Sequence, residues 1–238
     1  IVFGDWSSDV CSSDLGNIDP MRVEGKKTMV FEWLRLLGDL PSVYIQALSG
    51  GTGPIAIEKA INDLEETSWV KTKPRHILVQ PSKCAPMTHA WVKAKSENFP
   101  EGWENSYPVY DSPDTAVPTL ATGNPATYPM LAPIVKKSGG EIIEFDEDKM
   151  IQVARLVSFE TLINIGPASA IAVGGFFQSL KQGLIQKGDR VLINIGEGVR
   201  RAPEFMDSLI YTTQEVYSVE DCTPPSREMF REIGRAHV

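Results

Sequence analysis

A layered α/β fold on a mainly parallel sheet is what this 238-residue sequence predicts, and three features carry the prediction. Short apolar runs at 43–48, 76–80, 141–145 and 190–195 alternate with longer segments whose apolar residues recur at helical spacing. Strand-to-helix alternation of this kind favours parallel pairing. The run at 43–48 is nearly continuous in its apolar character, as in strands covered on both faces. With 42% hydrophobic and 23% charged residues, the chain holds enough apolar material for one large core or two smaller ones. The same balance excludes a disordered chain, and no apolar run approaches the ~20 residues of a membrane helix.

Residues 20–38 read as a helix, because Val23, Met29, Val30, Trp33, Leu34 and Leu37 share one face and Gly38 stops it. The strand at 43–48 feeds a glycine-rich loop, and 55–66 read as the next helix. A second strand at 76–80 precedes a helix at 86–97. Residues 98–125, rich in Pro, Asp, Ser, Tyr and Gly, read as one long ordered loop with a functional or packing role. A helix at 128–137, a strand at 141–145 and helices at 147–159 and 168–182 lead to the last buried strand at 190–195. Residues 203–230 are expected to add a short helix and an edge strand near 215–219.

The two ends do not match the middle. Residues 5–15 resemble a translated sequencing adapter, and 232–238 resemble the same adapter read from its other strand. Residues 1–15 and 232–238 are therefore expected to be artefacts. They flank a first part, 16–125, carrying the glycine loop, and a C-terminal α/β part, 126–231. Setting the ends aside removes four acids and one base, so the formal charge of −8 becomes about −5. Such an acidic chain is expected to bind neither nucleic acid nor an anionic membrane.

Cys11, Cys84 and Cys222 form no disulfide framework and no metal-ligand spacing, so a reducing, cytoplasmic setting is expected. Cys84 and Cys222 read as inert thiols. His76 and His89 have no partner at ligand spacing and read as packed or surface histidines, so no metal site is expected. Glu144, Asp146, Glu147 and Asp148 read as acids complementing a helix start. Trp33, Trp69, Trp91 and Trp103 read as core or interface anchors.

The strongest chemical signal is Ser49-Gly50-Gly51-Thr52-Gly53-Pro54, between a buried strand and a helix. Glycines let the backbone turn sharply and bare its N–H groups, and a helix start adds partial positive charge. Ser49 and Thr52 offer hydroxyl donors. The loop is neither a Walker motif nor a G-x-G-x-x-G dinucleotide fingerprint. It is therefore a tight connection or an anion cradle, and the two hydroxyls favour the cradle.

A family resemblance then emerges. The run Asn17-Ile18-Asp19-Pro20-Met21-Arg22-Val23-Glu24-Gly25-Lys26-Lys27-Thr28 is similar to a segment of threonine synthases, within the tryptophan-synthase-β-like (fold type II) enzymes. Gly123-Asn124-Pro125, Ser138-Gly139-Gly140-Glu141, Gly166-Pro167-Ala168-Ser169-Ala170, and Gly183-Leu184-Ile185 with Lys187-Gly188-Asp189-Arg190-Val191 follow in the family's order. The resemblance implies three-layer parallel sheets and the cofactor pyridoxal 5′-phosphate, its phosphate held by Ser49, Gly50, Gly51, Thr52 and Gly53. It implies a phosphorylated amino acid as substrate, amino-acid biosynthesis as the setting, and leaves room for a homo-oligomer. The family's Schiff-base lysine, in a Ser-x-Lys context, lies N-terminal to every motif quoted. No catalytic residue is therefore assigned here, and the chain is expected to be the C-terminal two-thirds of an enzyme, inactive alone. Lys26 and Lys27 are expected to be solvated surface lysines.

Departures from the family pattern shape the expected specificity. Threonine synthases place a hydroxyl toward the cofactor's pyridine nitrogen within Thr-Gly-His-Gly, whereas Ile195-Gly196-Glu197-Gly198 stands here. Glu197 is either a partner for that nitrogen or a solvated loop carboxylate. Gly166 stands where the family often has Glu, and 117–122 lack an arginine the family often carries. These departures favour the cysteate synthase branch, which replaces the phosphate of O-phosphoserine by sulfite on the way to coenzyme M. The alternatives are threonine synthesis from O-phosphohomoserine and water, or a non-catalytic phosphate-binding module.

Overall fold

The computed structural model describes residues 14–210, apart from 71, 199 and 201. Its sheet contains β1 (Val43–Ala47), β2 (Arg75–Pro81), β3 (Glu141–Phe145) and β4 (Val191–Ile193). All pairings are parallel, in the order β3-β2-β1-β4. The helices are α1 (Pro20–Leu37), α2 (Thr52–Glu66), α3 (Pro86–Ser96), α4 (Tyr128–Ser138), α5 (Met150–Thr161), α6 (Pro167–Lys181) and α7 (Pro203–Leu209). The predicted parallel α/β architecture is thus observed, with the 43–48 run as a central strand. Two strands come from 16–125 and two from 126–231.

Alternation along the strands builds the three layers. Val43, Ile45, Ile77, Val79, Ile143 and Phe145 share one core with Met150, Val153 and Ala154 of α5 and Ala170 and Ile171 of α6. On the other face, Tyr44 meets Val30 and Trp33 of α1 and Ile57 and Ile61 of α2. Beside it, Leu78 and Ile142 meet Met87 and Trp91 of α3 and Leu131 and Val135 of α4. Helix α6 lies flush on the sheet because two glycines face it. A Cβ on Gly174 would stand 2.3 Å from the Phe145 ring, and one on Gly175 2.3 Å from Val79 Cγ2.

Helix boundaries follow local chemistry. Asp19 accepts from the amides of Met21 and Arg22 and Pro20 occupies the first turn, while Gly38, at φ 72°, caps the far end of α1. Helix α2 starts three residues earlier than predicted, since Gly51 turns the chain at φ 79° and the helix begins at once. The predicted helix 147–159 divides into a 3₁₀ turn, Glu147–Lys149, and α5. The predicted strand 190–195 keeps three residues. The loop 98–125 carries 3₁₀ turns at Trp103–Asn105 and Pro118–Leu120, and Trp91, Phe99, Trp103 and Tyr128 stack edge to face beneath it. The expected strand at 215–219, Cys11, Cys222 and His237, and the adapter-like ends apart from 14 and 15, lie outside the described residues.

Several side chains depart from expectation. Lys27 is not a solvated lysine: 13% exposed, it bridges Glu24 at 3.0 Å and Asp63, tying α1 to α2. Glu147 does more than complement a helix: fully enclosed, it accepts from Thr115 Oγ1 and the Ala116 amide, both at 2.8 Å, and pins the long loop. Trp69 is 77% exposed and anchors no core. Cys84 is buried, and burial pushes its thiol pKa up, as an inert thiol requires. Among the described residues no group of three His, Cys, Asp or Glu could hold a metal ion, and no helix is long and apolar enough to cross a membrane.

The connections reverse direction at one point. From β1 through β2 to β3 the chain steps one way, with α2, α3 and α4 on one face. It then returns over the opposite face through α5 and α6, and β4 lands on the free side of β1. The chains leaving β1 and β4 therefore part to opposite faces, and a crevice opens between them. In open α/β sheets such a crevice is where ligands bind.

Candidate functional site

The crevice at the C-terminal ends of β1 and β4 is a cleft of about 400 Å³. Ser49, Gly50, Gly51, Thr52 and Gly53 all line it, so the five residues singled out in the sequence come together. Among the described residues, the amides of Gly50, Gly51, Thr52 and Gly53 donate to no protein acceptor. These are the orphan donors that a helix start leaves for an anion.

The loop's glycines are crowded by neighbouring side chains. A Cβ on Gly50 would lie 2.2 Å from Asn17 Cγ, and one on Gly53 2.7 Å from the Gln46 amide. Gly51 combines its positive φ with a Cβ position 3.1 Å from Leu131. The Gly50 carbonyl is tied down from beneath by Thr127 Oγ1 at 2.8 Å. The loop is thus closely packed, with its amides free and the Gly50 carbonyl spent.

The hydroxyls behave differently from expectation. Thr52 Oγ1 donates to the Asn17 carbonyl at 2.7 Å, so it holds the incoming N-terminal turn. Ser49 Oγ pairs with Thr122 Oγ1 at 2.9 Å, a bond either can donate. The free donors of the loop are therefore its backbone amides more than its two hydroxyls.

Two cations from α1 line the same cleft, Arg22 and Lys26, one helical turn apart. Arg22 Nη1 donates to the Gly16 carbonyl at 2.5 Å. Lys26 is half-buried there and meets no carboxylate among the described residues, contrary to the surface role expected of it. Neither residue was identified as a site residue from sequence. Their spacing, i and i+4 on a helix just before the glycine loop, was the available signal.

Glu197 also lines the cleft, half-buried and fastened, so it is not a solvated loop carboxylate. Its Oε2 accepts from the Ala168 amide at 3.0 Å, and its backbone exchanges two bonds with Ser169 Oγ, at 2.7 and 3.1 Å. Thr119 and Asn194 complete that wall. The chain's single Ser-x-Lys, Ser179-Leu180-Lys181, closes α6 with Lys181 exposed and outside the cleft.

Elsewhere, His76 is a packed histidine, completely buried against Tyr44. His89 is exposed, its Nδ1 bonded to the Tyr110 hydroxyl and its Nε2 3.5 Å from Glu144. Neither reaches the cleft.

Comparison with known proteins points to one family. A family model described as "Pyridoxal-phosphate dependent enzyme" matches residues 8–197. The cysteate synthase of Methanothrix thermoacetophila is 28% identical over 188 residues, covering 77% of this chain and 44% of that protein. The threonine synthase of Methanocaldococcus jannaschii is 25% identical over 208 residues, covering 87% of this chain and 48% of that protein. The chain thus spans about half the length of the curated relatives it matches. Among solved structures, a fungal L-serine ammonia-lyase from Rhizomucor miehei superposes with a TM-score of 0.58 at 13% identity, covering 79% of this chain and 56% of that one. Maize serine racemase gives 0.57 at 15% identity, over 79% and 53%. These likenesses show the shared fold, in keeping with the predicted fold type II.

Proposed function

The chain belongs to the pyridoxal-phosphate dependent enzyme family, and from that premise we propose that its cleft seats the cofactor in an enzyme that replaces or eliminates phosphate from an O-phosphorylated amino acid. The observation that carries the reading is the glycine loop 49–53, with free amides, glycines closely crowded by their neighbours, and Arg22 and Lys26 beside it. Ser49, Gly50, Gly51, Thr52 and Gly53 would hold the cofactor's phosphate, chiefly through backbone N–H groups. Once bound, the cofactor supplies an electron sink for the carbon next to the substrate's amino group. Arg22 and Lys26 would hold a second anion, either the departing phosphate or an incoming sulfite. Leu120 and Ala47 give the cleft its apolar lining.

Within this class the cysteate type, O-phosphoserine with sulfite, is favoured, because Ile195 offers no hydroxyl where the threonine type carries one. A cytoplasmic setting belongs to the same reading. No lysine of the cleft takes the imine-forming role in this reading, so the chain alone binds the cofactor without turnover.

The test is a titration of the chain with pyridoxal phosphate, with inorganic phosphate as competitor, repeated on Gly51→Asp. Binding that phosphate displaces, and that weakens at least tenfold in the variant, is expected, since the carboxylate would enter the cradle. Affinity unchanged in Gly51→Asp would reduce the loop to a turn. Stoichiometric borohydride-trapped labelling of Lys26 or Lys27, with turnover of O-phosphoserine, would overturn the inactive reading.

A further inference from the structure

We propose that Glu197 is the residue that holds a proton at the cofactor's ring nitrogen, and that Gly166 is the residue that makes room for it. The proposal rests on the cleft being the cofactor's seat.

Position comes first. In the β1/β4 pair, Ile45 stands opposite Ile193. Ser49 and Glu197 each lie four residues beyond that pair, so the cradle and the carboxylate rise together from neighbouring strands. Both line the one cleft of about 400 Å³, which has room for a pyridine ring with its phosphate arm. Among the residues lining the cleft, Glu197 carries the sole carboxylate, against the two cations Arg22 and Lys26.

The carboxylate is built in place. Oε2 takes the Ala168 amide at 3.0 Å and Oε1 lies 3.5 Å from Thr119 Oγ1. The Glu197 carbonyl accepts from the Gly166 amide at 3.1 Å and from Ser169 Oγ, itself buried. Each carboxylate oxygen has further acceptor capacity.

Gly166 supplies the independent observation. A Cβ there would stand 2.9 Å from Glu197 Cγ, 3.0 Å from its Oε2 and 3.1 Å from the Gly198 carbonyl oxygen, so a side chain at 166 would crowd both the carboxylate of 197 and the backbone beside it. Glycine at 166 leaves that space to Glu197.

Its chemistry follows from the ligand. The ring nitrogen is the basic atom of the pyridine, and a carboxylate partner keeps a proton on it far more firmly than a hydroxyl does. Glu197 thereby favours the cationic ring, which strengthens the electron sink.

The experiment uses pyridoxine 5′-phosphate, which lacks the aldehyde and cannot label stray lysines, and its analogue with C–H in place of the ring nitrogen. Both are titrated into the full chain by calorimetry, beside inorganic phosphate. Wild type is expected to prefer the nitrogen-containing ligand about tenfold, and Glu197→Gln to show a ratio near one. Gly166→Ala, which displaces the carboxylate without removing it, is expected to reduce the preference. Should these variants fail to fold, the wild-type chain still decides the matter through ring absorbance. The bound ring should stay protonated at least one pH unit above the free ligand. A wild type indifferent to the ring nitrogen, a preference that survives in Glu197→Gln, or an unshifted ring titration would overturn the role of Glu197. Failure of wild type to bind any of the three ligands would instead overturn the cofactor seat itself.

Discussion

His76 offers a prediction in which the structure supplies the magnitude. Its imidazole lies on β2 at 0% exposure, edge-on to Tyr44 with ring centroids 5.7 Å apart, and neither ring nitrogen has a hydrogen-bond partner. Burial lowers its pKa from 6.5 to about 4. Between those values the unfolded chain binds a proton that the folded chain refuses, so stability falls as pH falls; above pH 6.5 the residue contributes no pH dependence. Integrated down to pH 4.5, the loss is roughly 2–3 kcal/mol, a large share of an ordinary domain's stability. His76→Phe keeps the ring contact and removes the titration. Urea midpoints of both chains at pH 7.5 and 4.5 provide the assay. The variant should match or slightly exceed wild type at pH 7.5, and gain roughly a further 2–3 kcal/mol on it at pH 4.5. A gap between the two chains that stays constant with pH would refute the buried, neutral imidazole.

Three further outcomes are expected. Gly175→Val should destabilise by at least about 1–3 kcal/mol, measured by urea unfolding, because even its Cβ would meet Val79 at 2.3 Å. Glu147→Ala should cost about 1–3 kcal/mol and quicken protease cleavage between 113 and 120, since Thr115 and the Ala116 amide lose a buried acceptor. Lys26→Ala should weaken binding of sulfite or inorganic phosphate to the cofactor-loaded chain severalfold, measured by calorimetry, while leaving the melting temperature in place. Lys27→Ala should do the reverse, costing about 1 kcal/mol through its lost pairs with Glu24 and Asp63.

The elements were legible because their signals are local. Helix α1 announces itself through Pro20, the Val30–Trp33–Leu37 spacing and Gly38, and β3 was read to the residue because an apolar pattern with Gly139-Gly140 before it leaves no other choice. The early start of α2 was missed because it depends on the positive φ of Gly51, a backbone state that composition does not announce. Lys26 and Lys27 could not be told apart in sequence. One helical step of about 100° sends the first to the cleft and the second to Asp63, and the direction is set by where α2 lies.

Sequence alone therefore determined the parallel α/β class, the glycine-rich turn 49–53 and the family to which its motifs point. Each rests on neighbours along the chain: periodicity, a turn that needs glycine, an ordered set of short motifs. The partners across the cleft were decided by tertiary structure. Nothing local says that β4 pairs with β1 instead of extending the sheet beyond β3. That choice is made by α5 and α6, whose apolar faces cover Ile45, Val79 and Phe145 and carry the chain back over the sheet. Only this crossing sets Glu197 beside Ser49, 148 positions away, because burial of a whole sheet face outweighs the short route between neighbouring strands.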